Sequence, residues 1–262
     1  MKNLILALLV LLAVAKTGTC QQQWIRGVES AHVVQIGQRQ PGGGVTIVCG
    51  GSYLGEKMVV LGAHCANKNG RQPDLARFGS SSGNTFDIAI ANITLHYRYK
   101  PQFDYHNMAI AILERNPQIY SSAIKAACIL KAHPKTNTPV QLIGPIGDGS
   151  DRLERADLQA VGSEKCHEYY NPNRKLRFGV LLCCFCARNA KLDRCTNLHS
   201  SPLQIVARRL GKEVPYLIGH KSIGKSCDTN TPGIYTRYGS YFEWLETVTG
   251  LNLDEKECFE RY

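Results

Sequence analysis

No stretch of this 262-residue chain is apolar for long enough to cross a bilayer as a helix, which takes about 20 residues. The longest apolar run, residues 4–15 (LILALLVLLAVA), has 12. Collagen-like and low-complexity composition is absent, as are a fixed-period repeat and a long linker, so a fibre and a solenoid are excluded. A hydrophobic share of 44% excludes a wholly disordered chain. Acidic residues are scarce relative to basic ones, 21 Asp plus Glu against 31 Lys plus Arg, a net charge of +10. The excess favours anionic partners. No nucleic-acid reading motif accompanies it, so a nucleic-acid partner is not expected. Cysteine, by contrast, is plentiful. Eleven are many for a reducing compartment and point to disulfides or metal, and the odd number leaves one thiol to account for.

The N-terminus suggests where that thiol goes. Lys2 followed by the apolar run has the layout of a signal peptide. Small residues stand before two possible cuts, after Ala15 or after Cys20. The cut after Cys20 leaves ten cysteines, an even number, so parity favours residues 1–20 as signal peptide and 21–262 as the mature domain. The mature charge is then +8, because Lys2 and Lys16 leave as well.

Within 21–262, short apolar or alternating runs recur between Gly, Pro and Asn: Val45–Val48, Met58–Leu61, Phe86–Ile93, Ala109–Leu113, Val140–Ile143, Leu203–Val206, Tyr216–Ile218 and Ile234–Tyr235. That spacing predicts an all-β sandwich or barrel. One helix is expected near the end. Ser240-Tyr-Phe-Glu243 fits a capping box, Phe242, Leu245, Glu246 and Val248 follow at helical spacing, and Gly250 is a natural stop.

Several segments are distinctive. Cys49-Gly-Gly-Ser-Tyr-Leu leads to Leu61-Gly-Ala-His64-Cys65, and Asn107-Met-Ala-Ile-Ala-Ile-Leu113 follows. Cys195-Thr-Asn-Leu-His-Ser-Ser-Pro-Leu203, Pro232-Gly-Ile-Tyr-Thr-Arg237 and Tyr241–Trp244 come later, and Ile25-Arg-Gly-Val-Glu-Ser-Ala31 precedes them all. In this order they resemble the His segment, Asp segment, nucleophile loop, final strand and helix, and N-terminus of the chymotrypsin-like (trypsin-like) serine proteases. Residues 66–85 and 144–180 match poorly. The resemblance implies two perpendicular six-stranded β-barrels, a C-terminal helix and a site in the cleft between the barrels.

It also implies a damaged site. Of the Ser-His-Asp set, only His64 is in place; Asn107 stands at the Asp position and His199 at the Ser position. Losing the nucleophile of such an enzyme costs on the order of 10⁶ in rate, roughly 8 kcal/mol of transition-state stabilisation. Losing the orienting carboxylate alone costs about 10⁴. An amide can also present its NH2 to the imidazole and favour the wrong tautomer. Asn197, Ser200 and Ser201 replace glycines of the oxyanion loop, at backbone angles that glycine tolerates best. Activation is affected too: Trp24, not Arg or Lys, precedes Ile25, and Leu198 holds the place of the Asp that would receive a freed Ile amine. No catalytic residue, metal or cofactor is therefore expected. A metal centre of His64, His199 and His106, or a zinc site in the Cys183–Cys195 cluster, is the weaker reading.

The specificity pocket resembles the family more closely. Asp193 matches the position that selects basic side chains, and Gly224 and Gly233 match the small pocket-lining residues, although Ile223 replaces the usual Trp. The resemblance implies bridges Cys49–Cys65, Cys166–Cys186 and Cys195–Cys227. Cys128, Cys183, Cys184 and Cys258 stay unassigned, with Cys258 a possible partner for Cys128. Asn92-Ile-Thr94 is an N-glycosylation sequon. Arg174–Arg177 and Arg208–Lys212 are basic clusters suited to an anionic glycan or to solvent.

The expected protein is a secreted, catalytically inactive homologue of the kind insects expand in haemolymph immunity, digestion and seminal fluid. It would bind an extracellular protein partner, an active protease or its substrate, as cofactor, decoy or scaffold. The alternatives are a hydrolase with a non-standard His or metal site, and a heparin- or glycan-binding module. Mass spectrometry of the exported chain is expected to find a start at Gln21; a start at Ile25 would show that the activation cut is still used.

Overall fold

The computed structural model describes residues 25, 27–79, 84–146, 150–189, 199–224 and 231–262. The expected signal peptide lies outside them, as do Trp24, Asp193, Cys195, Asn197, Leu198 and Cys227.

The first barrel is built from six strands: β1 (Val33–Arg39), β2 (Val45–Gly55), β3 (Met58–Leu61), β4 (Leu75–Phe78), β5 (Phe86–Leu95) and β6 (Ala109–Leu113). They close in the order β1-β2-β3-β6-β5-β4, with every pairing antiparallel. The run Ala-Ile-Ala-Ile-Leu of β6 is apolar throughout because it is covered on both sides. One set of its side chains enters the barrel core with Val34, Ile36, Tyr53, Leu61 and Phe78. The alternate residue Ile110 faces outward into a seam shared with Leu54, Val60, Met108, Ile129 and Leu217. Alternation along a strand sends neighbours to opposite faces, so one strand serves both cores.

After the short β7 (Cys128–Ile129), the second barrel comprises β8 (Pro139–Pro145), β9 (Leu153–Val161), β10 (Cys184–Asn189), β11 (Pro202–Arg209), β12 (Lys212–Ile223) and β13 (Gly233–Arg237). The order β11-β8-β9-β10-β13-β12 closes through the β11–β12 pairing, and β7 adds alongside β12 in parallel. Its core is Val140, Leu142, Leu158, Phe185, Leu203, Ile218 and Tyr235. The two six-stranded barrels match the expected fold, and each predicted run falls inside a strand.

The described residues also form three α-helices: α1 (Ser163–Tyr170), α2 (Phe242–Thr249) and α3 (Glu255–Glu260). The expected terminal helix is α2, and Gly250 ends it in the left-handed region at φ 67°, where a side chain would be strained. The capping box does not form. Tyr241, not Ser240, is the N-cap, and no side chain caps it. Ser240 Oγ is otherwise engaged, accepting from Arg237 at 2.6 Å and donating to the Leu182 carbonyl at 3.1 Å. A 3₁₀ turn over Tyr238–Tyr241 consumes the residues that would have made the box.

Disulfides Cys49–Cys65 and Cys166–Cys186 form as the resemblance implies. A third joins Cys128 to Cys258, so the unassigned tail cysteine holds α3 against β7. Tyr262 donates to the Ala126 carbonyl at 2.6 Å, and Asp254 caps α3 by accepting the Lys256 N–H at 3.0 Å. The bridge closes a sequence separation of 130 residues. The Cys128→Ala/Cys258→Ala variant is expected to lose about 2–5 kcal/mol in urea unfolding, with the tail becoming the first segment to exchange its amides. An unchanged midpoint would mean that the tail is held by packing alone.

Candidate functional site

The end of β3 and the start of β6 bring His64 and Asn107 together at the edge of the first barrel. The 3₁₀ turn Ala63–Cys65 presents His64 and is fastened behind by the Cys49–Cys65 bridge. Asn107 is fully buried. Its Oδ1 accepts from the His64 backbone N–H at 3.0 Å and stands 2.9 Å from His64 Nδ1. Its Nδ2 donates to Ser222 Oγ at 2.6 Å, on β12, and reaches Asp104 Oδ1 at 3.5 Å. With a backbone N–H on one side and a carboxylate on the other, the amide has one orientation that satisfies both ends. The carbonyl therefore faces the imidazole, which carries its proton on Nδ1 and leaves Nε2 as the lone-pair nitrogen. The tautomer that an NH2-facing amide would favour does not arise.

What the amide lacks is charge. Burial pushes the His64 imidazole down to about 3; His220, Lys68 and His199 add repulsion, and the Asn107 hydrogen bond opposes it only in part. A carboxylate beside an imidazole would favour the cationic form; among the described residues nothing of that sign touches the ring. Asp104 is buried behind the amide, its own carboxyl raised by desolvation.

His199 meets His64 edge to face, with ring centroids 5.4 Å apart, and is itself exposed. The turn that carries it is clamped against the first barrel. Gly50 N–H donates to the His199 carbonyl at 2.9 Å, and Gly62 N–H donates to Ser200 Oγ at 2.7 Å. A Cβ on Gly50 would lie 3.1 Å from Ser201 Cα, so the two backbones meet only because that residue is glycine. Ser200 takes the left-handed conformation, φ 63°, despite its side chain. Its hydroxyl is fully buried and spent on Gly62, and Ser201 is buried as well, its Oγ turned toward Gly144. Neither serine is presented to the cleft beside His64.

Across residues 25–245 the chain matches the family model described as Trypsin. It belongs to the trypsin family. Serine protease snk of Drosophila melanogaster is 29% identical over 235 residues, covering 83% of this chain and 53% of snk. The chain thus spans about half the length of that relative. The clotting factor G beta subunit of Tachypleus tridentatus is 27% identical over 223 residues, covering 77% of this chain and 71% of the subunit. Among solved structures, neuropsin, a serine protease expressed in the limbic system of mouse brain, superposes with a TM-score of 0.67 at 19% identity, over 87% of this chain and 99% of neuropsin. That likeness concerns the fold.

Within this trypsin fold the third imidazole at the cleft is His220 on β12, not His106. His220 lies 6.4 Å from His64 between centroids, fully buried, its Nδ1 3.1 Å from the Tyr238 hydroxyl; burial pushes it down to about 3. His106 stacks instead on His96, with centroids 5.0 Å apart and planes within 7°. Among the described residues, the one group of three ligand-type side chains close enough to share a metal is Cys49, His64 and Cys65, and both its sulfurs are committed to a disulfide. Gly224 and Gly233 abut one another. A Cβ on Gly224 would lie 3.0 Å from both Gly233 Cα and the Tyr170 hydroxyl oxygen, which donates to the Pro232 carbonyl. Asn92 is exposed on β5, three residues before the strand ends.

Sequence reasoning did not single out Asp104, Ser222 as a hydrogen-bond partner, or His220. Asp104, three residues before Asn107, was the one visible signal. Nothing local marks His220, which reads as an ordinary strand position.

Two measurements test the electrostatics. His64 and His220 are held neutral when folded, and His32 is pushed down to about 4 by burial. An unfolded imidazole titrates near 6.5. Between those values the unfolded chain binds more protons, so stability is full above about pH 6.5 and falls as pH drops toward 4. A melting temperature that stayed flat over that range would contradict it. Asn107→Asp is expected to raise the His64 midpoint in an NMR titration by at least one unit, as a carboxylate beside an imidazole does; an unmoved midpoint would mean that burial alone sets it.

Proposed function

We propose that this trypsin-family chain is an exported, catalytically inactive serine protease homologue that acts by binding a protein partner in an extracellular process such as an immune or reproductive cascade. One observation carries the reading: the hydroxyls nearest the nucleophile position are turned away. His199 occupies the position itself, Ser200 Oγ is buried on the Gly62 N–H, and His64 faces a neutral amide. An imidazole on an exposed turn does not supply an alkoxide, and a His64 held neutral to about 3 gains no carboxylate to stabilise it as a cation. Both departures fall on the groups that acyl transfer needs most.

Both barrels that flank the cleft are in place, which supports retention for recognition. Burial first, and then the charges of Lys68, Lys221 and Lys175, disfavour protonation of His199. With the excess of basic residues in the whole sequence, such a cleft suits an acidic segment of a partner protein. The name of the relative in Tachypleus, a clotting factor subunit, is in keeping with a cascade setting. Export is supported by three disulfides and by the absence, among the described residues, of a helix long and apolar enough to cross a membrane. Asn92, exposed beside the strand end, is the proposed glycan acceptor; Asp193 with Gly224 and Gly233 is proposed as the remnant of a pocket, and Cys195–Cys227 as a fourth bridge.

A fluorophosphonate probe applied beside an active relative is expected to label only the relative. Covalent labelling of this chain at the cleft would overturn the reading and favour a non-standard hydrolase. Co-purification from the native fluid, compared with a Lys68→Glu/Lys175→Glu variant, tests the binding role. Loss of the partner with the variant supports the cleft as the docking face, and equal capture places the partner elsewhere.

A further inference from the structure

Ten cysteines lie in residues 21–262. Six form the three bridges described above. Cys195 and Cys227 are outside the described residues, and the family pattern pairs them with each other. Cys183 and Cys184 remain, adjacent in sequence and both free. Their sulfurs are 4.0 Å apart. Cys184 opens β10 and is buried beside Tyr105, Cys166 and Cys186; Cys183 is half-buried, packed where the seam core meets that cluster. The segment leading to it is exposed, Leu182 at 76% and Leu181 at 42%. A solvent reagent thus reaches Cys183 first and Cys184 only through it.

We propose that Cys183 and Cys184 are a redox-active dithiol that closes into a vicinal disulfide by exchange with a small disulfide such as oxidised glutathione. Cys183 thiolate attacks one glutathione sulfur, breaking that S–S bond; a mixed disulfide forms, and the first glutathione leaves and takes up the proton that Cys183 gave up. Cys184 then loses its proton and attacks Cys183 Sγ, expelling the second glutathione. The two protein thiols give up two electrons, and one glutathione disulfide is reduced to two thiols. The order of attack has a physical basis. Cys183 is held down to about 7, through hydrogen bonding with Cys184 first and with Tyr241, and by the Arg237 charge. Cys184 is pushed up by its hydrogen bond with Cys183, by burial and by the charge of its neighbour. The more acidic, more accessible thiol attacks, and the mixed disulfide removes the neighbouring charge that opposed ionisation of the second.

Closing the ring has structural consequences. Consecutive Cα atoms sit about 3.8 Å apart, inside the roughly 4.4–6.8 Å span of relaxed disulfides. The bond is therefore strained and more easily reduced than the three others. The peptide that must twist carries two hydrogen bonds, Cys184 N–H to the Leu181 carbonyl at 2.8 Å and Arg237 N–H to the Cys183 carbonyl at 2.9 Å. Its redox state thus bears on the exposed Leu181–Leu182 segment.

The test equilibrates the folded full-length protein in oxidised and reduced glutathione over a range of ratios, followed by acid quench, alkylation and peptide mapping. The expected result is a peptide containing residues 183 and 184 that is lighter by two hydrogens in oxidising buffer and doubly alkylated in reducing buffer, while the three bridges stay closed. Cys184→Ser should stop at one glutathionyl adduct on Cys183, and amide exchange at Leu182 and Arg237 should differ between the two wild-type states. Full alkylation of both thiols at every ratio overturns the proposal, as does a wild-type protein that halts at the mixed disulfide, or a bridge from either residue to Cys195 or Cys227. Should Cys184→Ser not fold, the wild-type map decides. None of these outcomes depends on whether the cleft is catalytic.

Discussion

The buried amide of Asn107 is the node at which this structure is joined. One side chain takes the backbone N–H and ring of His64 in the first barrel and gives its own N–H groups to Ser222 in the second and to Asp104 behind. All of this happens with the residue fully excluded from solvent, where an unpaired amide would cost several kcal/mol. The position of His64, the meeting of β6 with β12 and the shape of the cleft depend on that one set of bonds. A neutral amide meets this structural task because it carries both an acceptor and donors. It cannot perform the electrostatic one. The family fold thus persists around a site in which the imidazole is oriented but not poised to become a cation.

The barrel seam supports this node mechanically. Ile110, Leu54, Ile129 and Leu217 fill it from both barrels, and Tyr241, Phe242 and Leu245 of the terminal helix close it. Burial of this kind is non-directional and tolerates substitution; hydrogen bonds at the cleft are directional and do not. The contrast explains how the same barrels are kept at 19% identity to neuropsin. The turn at residues 199–201 shows the adjustment most clearly. Ser200 accepts a left-handed backbone and repays it with a buried hydrogen bond to Gly62, so a position where glycine is favoured holds a side chain.

The strand runs, the terminal helix and two of the bridges were legible in the sequence because each rests on local pattern or on motifs a few residues long. Strands β1, β4 and β9 were not, since polar residues interrupt their apolar ones, and neither were the two-residue β7, the cysteine-rich β10 or helix α1. Gln35 reads as a break in β1 until the Asp151 carbonyl is seen to accept from its Nε2 at 3.0 Å, across 116 residues. The capping box at Ser240 failed for a related reason. A hydroxyl with two competing partners, Arg237 and the Leu182 carbonyl, follows the tertiary ones. The orientation of Asn107 was open in the sequence because its deciding neighbours, Ser222 and Asp104, come together only when the barrels meet.

By itself the sequence determined which chemical groups stand at the cleft: an amide at residue 107, imidazoles at residues 64 and 199, and enough cysteines to brace the fold. Those are matters of covalent identity, and folding does not alter them. Only the tertiary structure decided which way the amide faces, that His220 rather than His106 joins the cleft, that Cys258 finds Cys128, and that Cys183 and Cys184 are left to each other. Each of these depends on distance between residues far apart in the chain, which no local pattern encodes.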